Sequence, residues 1–550
     1  MAAQYPQFFR DCIKPQEEAL KLTVKSGMTI ASGFATSEPL TFYKSLWSYI
    51  QNEDITDLRI KQALFMAPHP LCLGSTLQAS GMMTGLEKRL GGGSLVKNIV
   101  HSANAITQKV DGLKRLTEHY RELQERRIVF NSAFIGGATN IILPNNAITK
   151  VLCPDMIGRN TSRMGITDMH SIHFPDAVDS MAYSPEGERK IDTFVMVMTP
   201  PNENGDMSHG PANGANMEIL EKMIQNKDIN LLLYVNEKYP FTTGYGDSPN
   251  TINVEQLKAL ADIGKLVVIE DEGGIPALPA NSFDNPAGVE LTIANNLVNH
   301  MELHSEYTYG KSIQVGFGST GVMAIKALKD SSWTGRSYTE MLEPFTLDLY
   351  EAGKIKGSHF IEKDGRRTML DGKIVCTFTI CEDGSDFYDK INNNPNIVLS
   401  AASRVVIPEG FYGGLGINNC LSIDFYGHVN SGGRYRNHHS GIGGAAQINR
   451  GLAKGGVAYL CLKSTHKTPE GKLRSSVLPC MPPGSTVSLI GPDVMGGRDG
   501  ARFFLVTEHG VARLSGQSQA ELIKNLINVA DPQFRDWLKH EAYKEFRVRV

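Results

Sequence analysis

The chain has few cysteines and none of them is paired in a motif. Its eight cysteines, at 12, 72, 153, 376, 381, 420, 461 and 480, never form C-x-x-C. Thiols inside apolar runs, as at Val375-Cys376 and Leu460-Cys461, read as reduced and buried, which fits a cytoplasmic protein. No run of 18 apolar residues exists, so no membrane-spanning helix and no membrane partner are expected. The opening MAAQYPQFFRDCIK lacks the apolar core of a signal peptide. Excess charge is absent too: 55 Lys and Arg face 58 Asp and Glu, a net of −3. That balance gives no reason to expect nucleic acid or an anionic surface as partner. The string Gly-x-Ser-x-Gly is missing, so a serine-hydrolase elbow has no support. His428, His438 and His439 suit no compact zinc spacing and read as loop histidines, so no metal is expected.

Glycine, by contrast, is plentiful. Its 54 residues cluster at 91–93, 316–321, 413–416, 432–433, 441–444, 455–456 and 496–497. Clusters between apolar runs mark tight turns and close backbone approaches to a ligand. Short apolar runs such as Asp192-Thr-Phe-Val-Met-Val-Met, Ile229-Asn-Leu-Leu-Leu-Tyr-Val and Lys265-Leu-Val-Val-Ile alternate with helix-like stretches at 15–26, 39–51, 115–126, 216–226 and 254–263. This alternation predicts an α/β fold with mostly parallel sheets covered on both faces. The Pro-, Gly- and Asn-rich stretch after Asp271 is the expected boundary between an N-terminal domain at 1–282 and a C-terminal domain at 283–550. Beyond it, a helix at 286–303 is expected, then strands at 312–315, 374–380, 396–399, 421–426, 457–462, 486–490 and 502–507.

The most informative string is Gly316-Phe-Gly-Ser-Thr-Gly321, followed 24 residues after its first glycine by Glu340. It joins the strand Ser312-Ile-Gln-Val to the helix Val322-Met-Ala-Ile-Lys-Ala-Leu. Such a turn aims backbone N–H groups at an anion. It can be a plain tight turn, a dinucleotide-binding fingerprint, or a cradle for another phosphate, thioester or oxyanion. In a dinucleotide fold the acid ends an apolar second strand. Here Asp330-Ser-Ser-Trp-Thr-Gly-Arg-Ser-Tyr-Thr reads as a polar loop, which argues against that reading. His438-His-Ser-Gly-Ile-Gly-Gly444 is a second loop whose glycines would let backbone amides face a ligand.

Together these segments resemble the acetyl-CoA hydrolase/transferase family, which includes the 4-hydroxybutyrate, butyrate and acetate CoA-transferases. The family's glycine loop, T-E-M and D-L-x-E-A-G are matched by Gly316–Gly321, Thr339-Glu340-Met341 and Asp348–Gly353. Its I-N-x-x-x-x-x-D-x-x-G-x-V-N is matched by Ile417 to Asn430, and its S-G-x-G-G by Ser440–Gly444. Its S-T-x-K, V-T-E-x-G-x-A-x-L-x-G and P-x-F-R are matched by Ser464–Lys467, Val506–Gly516 and Pro532–Arg535. The N-terminal half matches more loosely, at Gly33–Pro39 and Pro200–Gly205. Two departures stand near the acyl site: Ser400-Ala-Ala402-Ser-Arg-Val carries no asparagine, and Pro344-Phe345 replaces the usual D-G.

The resemblance implies two open, mostly parallel α/β domains of the CoA-transferase type with the active site between them. It implies Glu340 as the catalytic nucleophile. It also implies CoA contacts at Gly316, Phe317, Gly318, Ser319, Thr320, Ser440, Gly444 and Lys467. Coenzyme A would be a substrate, with no permanently bound cofactor, held for part of the cycle as a glutamyl-CoA thioester. A small carboxylate of the acetate or butyrate type would be the acceptor, with water as acceptor in a hydrolase variant. A homodimer or higher assembly is implied as well. Glu343 and Glu351 are the rival nucleophiles. An NAD-dependent oxidoreductase using Gly316–Gly321 and Glu340 is the competing reading.

Overall fold

The computed structural model describes residues 5–64, 71, 111, 114–134, 142–143, 158–159, 167–169, 172–246, 248–278, 288–316, 318–356, 358–363, 366–434, 437–438, 441–468 and 471–550. The expected boundary at 282/283 lies outside the described residues.

Seven strands make the first sheet: β1 Thr29–Ser32, β2 Arg59–Leu64, β3 Val129–Phe134, β4 Thr167–Met169, β5 Thr193–Met198, β6 Asn230–Val235 and β7 Leu266–Glu270. Their order is β7-β6-β5-β1-β2-β3-β4 and every pair is parallel. The chain starts mid-sheet, winds one way, then returns to β1 and winds the other way. The central strand β5 is buried at all six positions, which is why it reads as an unbroken apolar run.

The second sheet repeats this plan with eight strands. They are β8 Ser312–Val315, β9 Arg336–Tyr338, β10 Ile374–Cys376, β11 Ile397–Leu399, β12 Leu415–Asn419, β13 Val457–Cys461, β14 Arg502–Thr507 and β15 Gly510–Arg513. The order is β11-β10-β9-β8-β12-β13-β14-β15, parallel except for the β14–β15 edge hairpin. Winding reverses between β8 and β12. A doubly wound sheet opens a crevice at such a reversal, beyond the carboxyl ends of the two strands.

One expectation fails here. The stretch before Glu340 is not loop throughout, because Arg336–Tyr338 is the strand β9, paired to β8 and β10. Its polar sequence hides it, since ladder bonds on both sides hold a three-residue strand that propensity does not favour. The acid therefore does follow a second parallel strand, and the polar-loop objection to a dinucleotide falls.

Four helices place the site: α1 Gly288–Leu303, α2 Ser319–Asp330, α3 Pro344–Glu351 and α4 Ala445–Leu452. The two sheets share a seam closed by main-chain bonds. Thr379 N–H donates to Pro211 O and Leu399 N–H to Thr243 O, both at 2.9 Å, and Ala402 N–H donates to Gly214 O at 2.6 Å. Phe174 packs edge-on against Phe378 with ring centres 5.8 Å apart, inside one apolar core that runs through both halves. Among the described residues, no helix is long and apolar enough to cross a membrane.

Candidate active site

Glu340 sits just past β9, at the mouth of the crevice between β8 and β12. It lines a cavity of about 300 Å³ with Gln314, Gly316, Asn418 and Gly444, while Ile448, Leu460 and Leu489 supply apolar wall. Its carboxylate Oε2 accepts a hydrogen bond of 2.7 Å from the Gly444 N–H. Gly444 is the N-cap residue of α4, so the positive end of that helix faces the carboxylate. Burial pushes the Glu340 pKa up to about 7, and the Gly444 N–H opposes that rise. The side chain stays partly exposed, on the cavity wall. The result is a carboxylate that ionises near neutrality, with one oxygen held and one free.

Gly444 admits no larger residue. A Cβ there would collide with Glu340 Oε2 and Val406 Cγ1. At Gly316 a Cβ would stand 2.5 Å from Asn418 Oδ1. The glycine loop thus leaves room for an asparagine side chain from the neighbouring strand. Gly318, the N-cap residue of α2, similarly faces the Asn419 amide. A dinucleotide needs bare backbone over its second glycine to seat the pyrophosphate. That space over Gly318 already holds Asn419. With Glu340 turned to Gly444, this occupancy now carries the case against a dinucleotide.

The other expected residues divide. Thr320 is buried in the first turn of α2, away from the cavity wall, and Ser319 begins that helix. Lys467 ends the short strand Thr465–Lys467, is exposed, and does not line this cavity. Phe317 and Ser440 lie outside the described residues. The rival acids have other work. Glu343 caps α3: its carboxylate accepts from Thr346 N–H at 2.8 Å and from Thr346 Oγ1, and it is 1% exposed. Glu351 is exposed at the end of α3 and pairs with Lys390 at 3.5 Å. The departures are structural at this level. Pro344 opens α3, and Ala402 is buried on the seam. Among the described residues, no group of three His, Cys, Asp or Glu could hold a metal. His428 Nδ1 lies 3.2 Å from Asp424 Oδ2.

Gln314, Asn418 and Asn419 escaped the sequence reading. Their signal was polar side chains within short parallel strands, where apolar ones are the rule.

Comparison with known proteins returns a consistent set. Residues 384–542 match the family model for the acetyl-CoA hydrolase/transferase C-terminal domain. The chain is 27% identical over 328 residues to the 4-hydroxybutyrate coenzyme A transferase of Clostridium kluyveri, across 55% of this chain and 70% of that protein. It is 26% identical over 367 residues to the butyryl-CoA:acetate CoA-transferase of Anaerostipes caccae, across 64% and 72% of the two chains. An acetyl-CoA hydrolase of Yarrowia lipolytica is 24% identical over 436 residues, across 72% of this chain and 75% of its own. Two solved structures share the fold. RipA from Yersinia pestis superposes with a TM-score of 0.66 at 20% identity, covering 98% of each chain. A 4-hydroxybutyrate CoA-transferase from Porphyromonas gingivalis gives 0.60 at 18% identity, covering 99% of this chain and 100% of that one.

Proposed function

For a chain that carries the C-terminal domain of the acetyl-CoA hydrolase/transferase family across residues 384–542, we propose the activity of a CoA-transferase that moves CoA from an acyl-CoA to a small carboxylate. The observation that carries this reading is Glu340: a half-buried carboxylate with one oxygen on the Gly444 N–H and the other free in a cavity.

The free Glu340 oxygen attacks the acyl carbonyl carbon and the C–S bond breaks. CoA leaves as thiolate and a mixed anhydride remains. The thiolate then attacks the glutamyl carbonyl, the C–O bond to the acyl group breaks, and the first acid departs as carboxylate. Glu340 now bears CoA as a thioester, and an incoming carboxylate runs the two steps backwards. No proton is gained or lost across the cycle, and the scheme is ping-pong covalent catalysis. Burial suits the carboxylate to attack, because desolvation raises its basicity and placement removes orientational cost, worth ~7–11 kcal/mol at best. When Glu340 is acylated, its carbonyl oxygen stays where Oε2 is now, on Gly444 N–H. One such donor is worth about 3–4 kcal/mol of transition-state stabilisation.

Hydrolysis is the second reading, since one relative is an acetyl-CoA hydrolase. Water would then replace the incoming carboxylate. Incubation with acetyl-CoA followed by borohydride tests the shared intermediate. The expected result is reduction of Glu340 to the alcohol, read by peptide mass spectrometry. An unmodified Glu340 during measurable turnover would discard the scheme. A panel of carboxylate acceptors then separates transfer from hydrolysis.

A further inference from the structure

The second sheet has another edge. Opposite the crevice, at the amino ends of its parallel strands, three cations gather. β12 and β13 run five residues each, so about 17 Å of strand separates this edge from the rim where Glu340 stands.

Register brings the three together. Lys311 precedes β8, and its Nζ donates to Gly455 O at 3.1 Å. β12 lies between β8 and β13. The lysine chain therefore crosses the amino end of β12, at Gly413 and Gly414, where no side chain blocks it. Arg502 opens β14 beside that spot, with its N–H on Gly456 O at 2.9 Å. Its Nη1 donates to Gly500 O at 2.6 Å, which keeps the guanidinium at the edge. Arg513 ends β15 opposite Phe504, two residues along from Arg502. Its Nε donates to Ser515 O at 3.0 Å and to Ser515 Oγ at 3.1 Å, which draws its guanidinium back to the level of Arg502. Ile313 and Phe504 belong to the core under α1. Strand alternation puts Lys311 and Arg502, two residues before them, on that same face.

Rings hold this cluster without neutralising it. Arg502 Cζ stands 4.3 Å from the Tyr307 ring centre, and Arg513 Cζ stands 5.4 Å from that of Phe504. The two rings are parallel to within 11°, at 6.4 Å between centres. The neighbouring acid Glu306 is engaged by His304 at 3.5 Å. Among the described residues, no carboxylate pairs with Lys311, Arg502 or Arg513. Burial, then the Arg502 and Arg336 charges, holds the Lys311 ammonium below the usual lysine range. Burial and Arg502 lower Arg513 as well. Half-buried like charges repel with little screening by salt, so the cluster costs stability until an anion joins it. Three cations call for more than a monoanion, and two guanidinium forks suit the oxygens of a phosphate.

We propose that Lys311, Arg502 and Arg513 form a phosphate-binding site at the edge of the second sheet, remote from Glu340. Its ligand is a phosphate dianion, free or carried on a small phosphomonoester. The site stands independently of the transfer reading above.

The test is calorimetric titration of the full-length protein with inorganic phosphate near pH 8, with sodium chloride holding the ionic strength constant. Wild type should bind one phosphate per chain saturably, and acetate at least tenfold more weakly. Glycerol phosphate in a parallel arm separates the two sources: tighter binding marks a phosphomonoester as the ligand, and equal binding marks the free ion. Lys311→Met and Arg502→Gln each remove one charge, and each should raise the Kd for phosphate at least tenfold. Because each relieves repulsion, neither should lower the melting temperature measured without phosphate. Saturating CoA should leave phosphate binding intact. Competition between CoA and phosphate would put the anion in the crevice and overturn the proposal. Phosphate heats no different from those of chloride, or variants that bind phosphate as wild type does, would overturn it equally. So would a phosphate-free melting temperature well below wild type in both variants, since the cations would then be structural.

Discussion

At the scale of the residue, Glu340 joins chemistry to stability. Its folded pKa of about 7 lies above the ordinary carboxylate value. Between the two values the folded state holds a proton that the unfolded state has lost. Stability therefore falls as pH rises through that window, by on the order of 3 kcal/mol in full. Glu340→Gln keeps an acceptor for Gly444 without the charge. It should melt higher than wild type at pH 8, with the gap closing by pH 5 in a thermal scan. The same variant should lose at least ~10³-fold in CoA transfer, having no nucleophile. In wild type the rate should climb through pH 7 as the carboxylate ionises, read as the acid limb of kcat/KM against pH. Gly444→Ala forces its methyl into Glu340 Oε2 and Val406 Cγ1. It should slow thioester formation ~10²-fold or more in single-turnover experiments.

At the scale of the element, Glu343 stands three positions after Glu340, and their fates differ because a helix begins immediately after Glu343. Glu343 closes the N-terminus of α3 on Thr346. Glu343→Ala should cost about 0.5–2 kcal/mol in urea unfolding and leave the borohydride-trapped adduct on Glu340. Elements of this kind were legible where local pattern and burial agree. The strands at 312–315 and 502–507 and the helix at 216–226 stand where their apolar runs place them. Arg336–Tyr338 was illegible because its strand character comes from ladders with partners before and after it in sequence, beyond any local pattern. The site was half legible. Motif spacing pointed to Glu340, Gly316 and Gly444. The Asn418 amide enters through sheet register, which joins residues about a hundred positions apart in sequence.

At the scale of the whole molecule, two doubly wound sheets act as one folded body because their seam is bonded and packed. Phe34, Phe174 and Phe378 form a line of rings across it, at 6.2 Å and 5.8 Å between centres. Phe174→Ala should cost about 3–5 kcal/mol. Calorimetry should still show a single transition, now at lower temperature, since both halves share the damaged core.

The backbone of Phe174 has a second attachment. Its N–H donates to Gly443 O at 3.2 Å, one residue before the amide that holds Glu340. The first half of the chain thus keeps a tether on the loop that serves the carboxylate. Parting the halves must snap that tether or drag the loop from Glu340. If the tether holds, the loop leaves with the first half, and the Gly444 N–H no longer faces Glu340 when water enters the crevice. On the proposed transfer scheme, an enzyme opened in that way is a resting one.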